Sequence, residues 1–161
     1  MAPGPREDES DNQRLDRELD QLLQELRVAM PGVQVLFAFL LAVPFQERFA
    51  QVTEFQRDVY FGTLLASAVA SALFIAPTAY HRMMFRGHDK PRLVQISSRL
   101  AIGGLMALAI AMNGAILLVT DVLFQDATVA ITIVLTTLLF LGLWFVLGIT
   151  RRMSNERSRD L

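Results

Sequence analysis

Four runs of this chain contain no charged residue: Val28–Gln46, Val59–Tyr80, Leu100–Thr120 and Ala127–Thr150, of 19, 22, 21 and 24 residues. All 15 basic and 16 acidic residues of the 161 therefore fall between or outside the runs. A bilayer core of about 30 Å is crossed by about 20 helical residues, and a helix satisfies its own backbone polar groups where no water can. Each run is near or above that length. The sequence accordingly predicts an all-α chain, a bundle of four transmembrane helices over 28–46, 59–80, 100–120 and 127–150, preceded by a cytoplasmic amphipathic helix. A soluble domain would spread its charges over the outer face of every helix, so the segregation excludes that class.

Composition narrows the chemistry further. No cysteine is present, which removes disulfide frameworks, thiolate metal sites and thiol nucleophiles. The near-neutral balance, net charge −1, offers no concentrated basic face, so no nucleic-acid partner is expected. Residues 1–27 carry eight acidic residues against four arginines, unlike the basic, apolar start of a cleaved secretory signal. No nucleophile–base pair, phosphate-cradling glycine loop or carboxylate dyad stands out, so no catalytic residue and no cofactor is assigned, and the chain reads as a non-enzyme.

Ahead of the first run, residues 1–9 combine Pro, Gly and charge without an apolar residue to bury beyond Met1 and Ala2, and are expected to form a disordered tail. Over 10–27 the pair Ser10 and Gln13 has the form of a capping box, and Leu15, Leu19, Leu22 and Leu26 recur at helical spacing. The leucine stripe has two readings. It is a seam to a second copy or to another membrane protein, or it lies on the membrane surface or on the chain's own loops. Acidic residues among the arginines of its polar face favour protein contact over anionic headgroups.

Pro31 and Gly32 near the start of the first run predict a bend between this helix and span 1, and Pro44 predicts the end of that span. Phe45, Phe49, Val52 and Phe55 keep an apolar stripe through an interfacial elbow, and the capping-box pair Thr53 and Gln56 places the start of the second helix near Thr53. The stretch His81–Arg99 is expected to be a basic loop. Flanking Lys and Arg number four before span 1, five between spans 2 and 3 and four in the 151–161 tail, against two and none in the other connections. Thirteen against two places both termini and the basic loop on the cytoplasmic side of the membrane.

Ion-coupled transporters and proton pumps usually carry an ionisable residue inside their spans. Here the ionisable residues stop at the boundaries, at His81, Asp121 and Asp126, where turn-forming and topology-setting roles account for them. His81, His88 and Asp89 have no spacing that would fix a metal geometry, so no metal site is assigned. Uncharged polar residues do lie within the spans. Counting helical rise from the run ends puts Ser67, Asn113 and Thr132 at one depth and Gln34 with Ser71 in a deeper layer. This candidate polar layer is read as hydrogen-bonding glue between helices, with a pore or substrate lining as the alternative. Two rows of small residues, Gly62–Ala66–Ala70 and Gly103–Ala107–Ala111–Ala115, predict close backbone contact between spans, within one chain or between copies.

Several short motifs also resemble a known family. Glu25-Leu26-Arg27, the run Pro31-Gly32-Val33-Gln34-Val35-Leu36-Phe37-Ala38-Phe39-Leu40, Arg57 with Tyr60, and Ala76-Pro77 followed by His81-Arg82 and Phe85-Arg86 are similar to small four-span bacterial membrane proteins grouped as a domain of unknown function. Some members of that group carry the label sodium/proton antiporter. The resemblance covers roughly Leu19 to Val122 and implies an integral bacterial membrane protein, with Pro31, Gly32, Gln34, Arg57, Tyr60, Pro77, His81 and Arg82 as its motif positions; the expected location is the bacterial inner membrane. The functional expectation is an accessory or scaffold subunit, and the alternative is a small antiporter-like transporter or channel using the uncharged polar layer.

Overall fold

The computed structural model describes residues 5–84, 90–124 and 127–143, and their side chains over 13–80, 92–124 and 127–143. Four helices follow one another: α1 (Pro5–Ala42), α2 (Glu54–Met84), α3 (Lys90–Leu123) and α4 (Ala127–Leu141). Two 3₁₀ turns, Val43–Phe45 and Glu47–Gln51, join α1 to α2. The fold is all-α. At 1.5 Å per residue the 38, 31 and 34 residues of α1, α2 and α3 span about 57, 46 and 51 Å. These three are long and apolar enough to cross a membrane, whereas the 15 described residues of α4 form a shorter apolar helix.

The first departure from the sequence reading is in α1. A separate amphipathic helix over 10–27, bending into span 1 at Pro31, is replaced by one continuous helix with Pro31 inside it. Proline removes the hydrogen bond to the carbonyl four residues earlier, a local cost that packing on either side can outweigh. Leu19, Leu26, Val33 and Leu40 are all buried, and they recur every seven residues along one face. Leu26 and Val33, which bracket Pro31, belong to the same core as Phe74, Ala70, Ala107 and Leu108, with Leu22, Ala29 and Met30 packed against it. Pro31 itself is exposed, on the side away from that core. The leucine stripe is thus covered at Leu19 and Leu26 by the chain's own helices, while Leu15 stays half-buried.

The start of α1 departs too. The helix begins at Pro5, inside the stretch expected to be disordered, and Ser10 lies within it, not at its cap. Proline suits the first helical position, and Glu7, Asp8 and Glu9 follow it where the helix dipole favours negative charge. Similarly, most of the expected basic loop is helix: α2 runs on to Met84 and α3 starts at Lys90. Apolar positions continue beyond the charge-free runs at helical spacing, so charge marks the end of a span without marking the end of its helix.

Helices α2 and α3 form the principal contact. The buried positions of α2 are Tyr60, Thr63, Ser67, Ala70, Phe74 and Pro77, alternating three and four residues apart. That alternation averages 3.5 residues and holds one seam toward a neighbour, the geometry of left-handed helix packing. A strict four-residue row drifts about 40° around the helix at every step, because each residue turns about 100°. The predicted row on α2 therefore leaves the interface at Gly62, whereas the row on α3 stays in it from Gly103, beside Leu73, through Ala107 to Ala111. Ala70, Ala107 and Ala111 are buried in it, but a Cβ on Gly62 would meet nothing within 4 Å. The glycines that permit close approach are Gly104, against the ring of Phe74, and Gly114, against the side chain of Thr63.

Helix α1 packs on both α2 and α3, completing a three-helix core, whereas α4 contacts α3 alone among the described elements and buries no residue of its own.

Candidate functional site

At the elbow end of the core, backbone chemistry builds a bonded cluster. Pro44 lacks the N–H that a continued helix needs, so α1 stops at Ala42 and the chain turns twice. The carbonyl of Leu40 is among the last four of α1, which find no acceptor role within a helix. Tyr60 supplies the donor: its hydroxyl lies 2.9 Å from the Leu40 oxygen, in a buried bond. The Tyr60 ring meets Phe49 of the second turn edge-to-face, centroids 5.1 Å apart and planes at 72°, a favoured aromatic geometry.

The capping box expected at Thr53 and Gln56 is present. The Gln56 N–H donates to Thr53 Oγ1 at 3.2 Å and the Thr53 N–H donates to Gln56 Oε1 at 3.0 Å. Its Gln member has a second role that spacing could not reveal. Gln56 Nε2 donates to Asp121 Oδ2 at 2.8 Å, tying the start of α2 to the last turn of α3. A carboxylate near a helix C-terminus faces the negative end of the dipole, and the amide donor offsets that disadvantage. Above this tie, Leu36, Val52, Tyr60, Leu118 and Val122 help line a largely apolar cavity of about 400 Å³.

The polar layer divides. Ser67 is buried and donates to the Leu64 carbonyl of its own helix at 2.8 Å; Ser71 donates to the Ser67 carbonyl at 3.0 Å and Thr132 to the Thr128 carbonyl at 2.8 Å. Gln34 is exposed on α1. These four therefore do not converge. Asn113 does bridge two helices, with Thr136 and Thr137 as its partners in place of Thr132. Its Oδ1 lies 2.8 Å from Thr136 Oγ1 and 3.2 Å from Thr137 Oγ1, and its Nδ2 donates to the Ala109 carbonyl at 3.0 Å. Counting from run ends misplaced the register, because α3 continues past its charge-free run to Leu123. Counting from the helix ends finds the pair: Asn113 is ten residues before Leu123, the end of α3, and Thr137 ten after Ala127, the start of α4. A cavity of about 430 Å³ opens beside this bridge, lined by Asn113, Thr137, Met106 and Phe140 among others.

Other anticipated positions scatter. Pro31, Gly32 and Arg57 are exposed, and Tyr60 and Pro77 are buried in the core seam. His81 and Arg82 fall in the final turns of α2, but their side chains, like Asp126, His88 and Asp89 entirely, lie outside the described residues. Among the described residues no three of His, Asp and Glu gather where a metal ion could be held.

Comparison with curated proteins and with solved structures returns no match. A family profile does match, described as a family of unknown function, DUF6328, over residues 8–148. Those residues include the whole three-helix core and the Asn113 bridge, and the chain therefore belongs to this family of unknown function.

Proposed function

We propose that the chain is a non-enzymatic accessory or scaffold subunit of the bacterial inner membrane, crossing it four times with both termini in the cytoplasm. The observation carrying this reading is the use made of the polar groups on the apolar helices. Ser67, Ser71 and Thr132 are consumed by backbone carbonyls of their own helices, and Asn113 joins α3 to α4. The Asn113 bridge pins the register of α3 against α4, while the intrahelical bonds occupy the other hydroxyls and, among the described residues, do not link into a polar path between helices. The four runs are free of charge, and neither Gln34 nor Asn113 can exchange a proton for a cation. Contact with a second copy or a membrane partner would then use exposed apolar surface such as that of α4, or the Leu15 side of α1, since Leu19 and Leu26 are occupied internally.

The antiporter-like alternative has one observation in its favour, the cavity beside Asn113. Purified protein in liposomes under a pH gradient separates the readings. The scaffold reading expects no sodium-dependent proton flux above empty liposomes. Flux abolished by Asp121→Asn or His81→Gln would overturn it and make that boundary residue the coupling site. Flux that survives both changes but falls with Asn113→Leu would make the bridge a pore lining.

A further inference from the structure

We propose that the α3–α4 cavity beside Asn113 binds a membrane-dissolved apolar molecule carrying a carbonyl oxygen, held by one hydrogen bond from the Asn113 amide. The ligand class comes from an inventory of donors and acceptors. The Ala109 carbonyl can only accept, so the nitrogen of the Asn113 side chain must face it, 3.0 Å away. The side-chain oxygen then faces the two threonine hydroxyls: Thr137 at 3.2 Å, and Thr136 at 2.8 Å, whose single proton is shared with the Thr132 and Ile133 carbonyls at 2.9 and 3.2 Å. One N–H of the amide remains, since Nδ2 carries two hydrogens and the Ala109 carbonyl takes one.

That remaining donor belongs to a residue lining a cavity of about 430 Å³, within the size range of small-molecule sites. Of the seven lining residues only Asn113 and Thr137 carry polar side-chain atoms, and the Thr137 hydroxyl already points its proton at Asn113 Oδ1. An apolar body with a single acceptor is the complement of such a site. Met106, Ile110 and Leu141, all exposed, border the opening, so entry is lateral, from the hydrocarbon.

Depth excludes the lipid headgroup as the acceptor. Asn113 lies eight residues from Asp121, about 12 Å along the axis. If Asp121 marks the edge of the hydrocarbon, as the topology above requires, the ester carbonyls of phospholipids stay near that edge, and their acyl chains bring no acceptor to the bridge. A ketone or quinone ring dissolved in the bilayer core brings one.

A matched pair of probes tests this in nanodiscs containing the full chain. Photolabelling with an alkylated benzophenone, whose excited ketone inserts into nearby C–H bonds, is competed with decanophenone or with decylbenzene, which differ by one carbonyl in place of a methylene. Labelling is expected on the Met106 or Phe140 peptides, suppressed by decanophenone and not by decylbenzene at equal concentration. Asn113→Leu, near in volume and without a donor, is expected to reduce labelling about fivefold, the ratio for one neutral hydrogen bond. Equal competition by decylbenzene in the unmodified protein would overturn the proposal without reliance on any variant, showing a cavity that takes hydrocarbon alone. Undiminished labelling of a folded Asn113→Leu protein would overturn it too. Failure here leaves the scaffold reading standing, because that reading is decided by ion flux.

Discussion

Phe74 fills the space that a side chain on residue 104 would need: its Cε1 lies 2.5 Å from the position of a Cβ on Gly104. Both residues are buried at the level of Leu26 and Val33, where the three long helices meet. Gly104→Ala should therefore force Phe74 off its rotamer or push α3 away, destabilising the fold by about 1–3 kcal/mol. Gly62→Ala, whose Cβ would meet nothing within 4 Å, should be neutral or stabilising by up to about 1 kcal/mol through helix propensity. Unfolding of the two variants in detergent, read by circular dichroism, checks the contrast; equal effects would contradict the packing.

The tie between Gln56 and Asp121 predicts an exchange experiment. Gln56→Glu keeps the oxygen that accepts from Thr53 but sets a carboxylate against a carboxylate, at a loss of about 1–2 kcal/mol. Adding Asp121→Asn restores a donor–acceptor pair with the groups reversed, and most of the loss should be recovered. The deficit of the single variant should also shrink as pH falls, because protonation of either carboxyl removes the repulsion and supplies a donor. A deficit independent of pH and unaffected by Asp121→Asn would mean that the two side chains do not meet.

Leu26 and Val28 are two residues apart and opposite in environment, 5% and 79% exposed. Leu26→Ala should cost about 2–5 kcal/mol of stability, whereas Val28→Ala should be nearly silent. The Leu26 effect should appear as a lower unfolding midpoint that does not vary with protein concentration, since its contacts lie within one chain. A midpoint that varies with concentration would assign the leucine stripe to an interface between copies.

The proposed orientation is checked with reporter fusions. A reporter after Gln125 should report as external, and reporters after Lys90 and at Leu161 as cytoplasmic, following the thirteen basic residues assigned to one side against two on the other. The opposite labelling would overturn the orientation.

Much of the architecture was legible because it rests on local rules. Charge-free length marked three helices able to cross a membrane, the 3.6-residue period marked Leu19 and Leu26 among the buried residues of α1, and the Thr53–Gln56 spacing located the start of α2 to within a residue. Each depends on groups within a few residues of one another, so chain order alone carries the information.

What the tertiary structure alone decided is how the helices register and which polar groups meet. Pro31 argued for a break, and the burial of Leu26 and Val33 on either side of it kept α1 continuous. Gly62 and Gly104 each open a small-residue stretch along the chain, yet only Gly104 faces an aromatic ring, because the buried face of α2 follows a 3.5-residue seam that leaves Gly62 outside it. Asn113 finds Thr136 and Thr137 one turn beyond the residue that run-end counting suggested, and Gln56 finds Asp121 across 65 residues of chain. Those pairings depend on where each helix ends and how it is rotated, and both are set by packing energy summed over the whole interface.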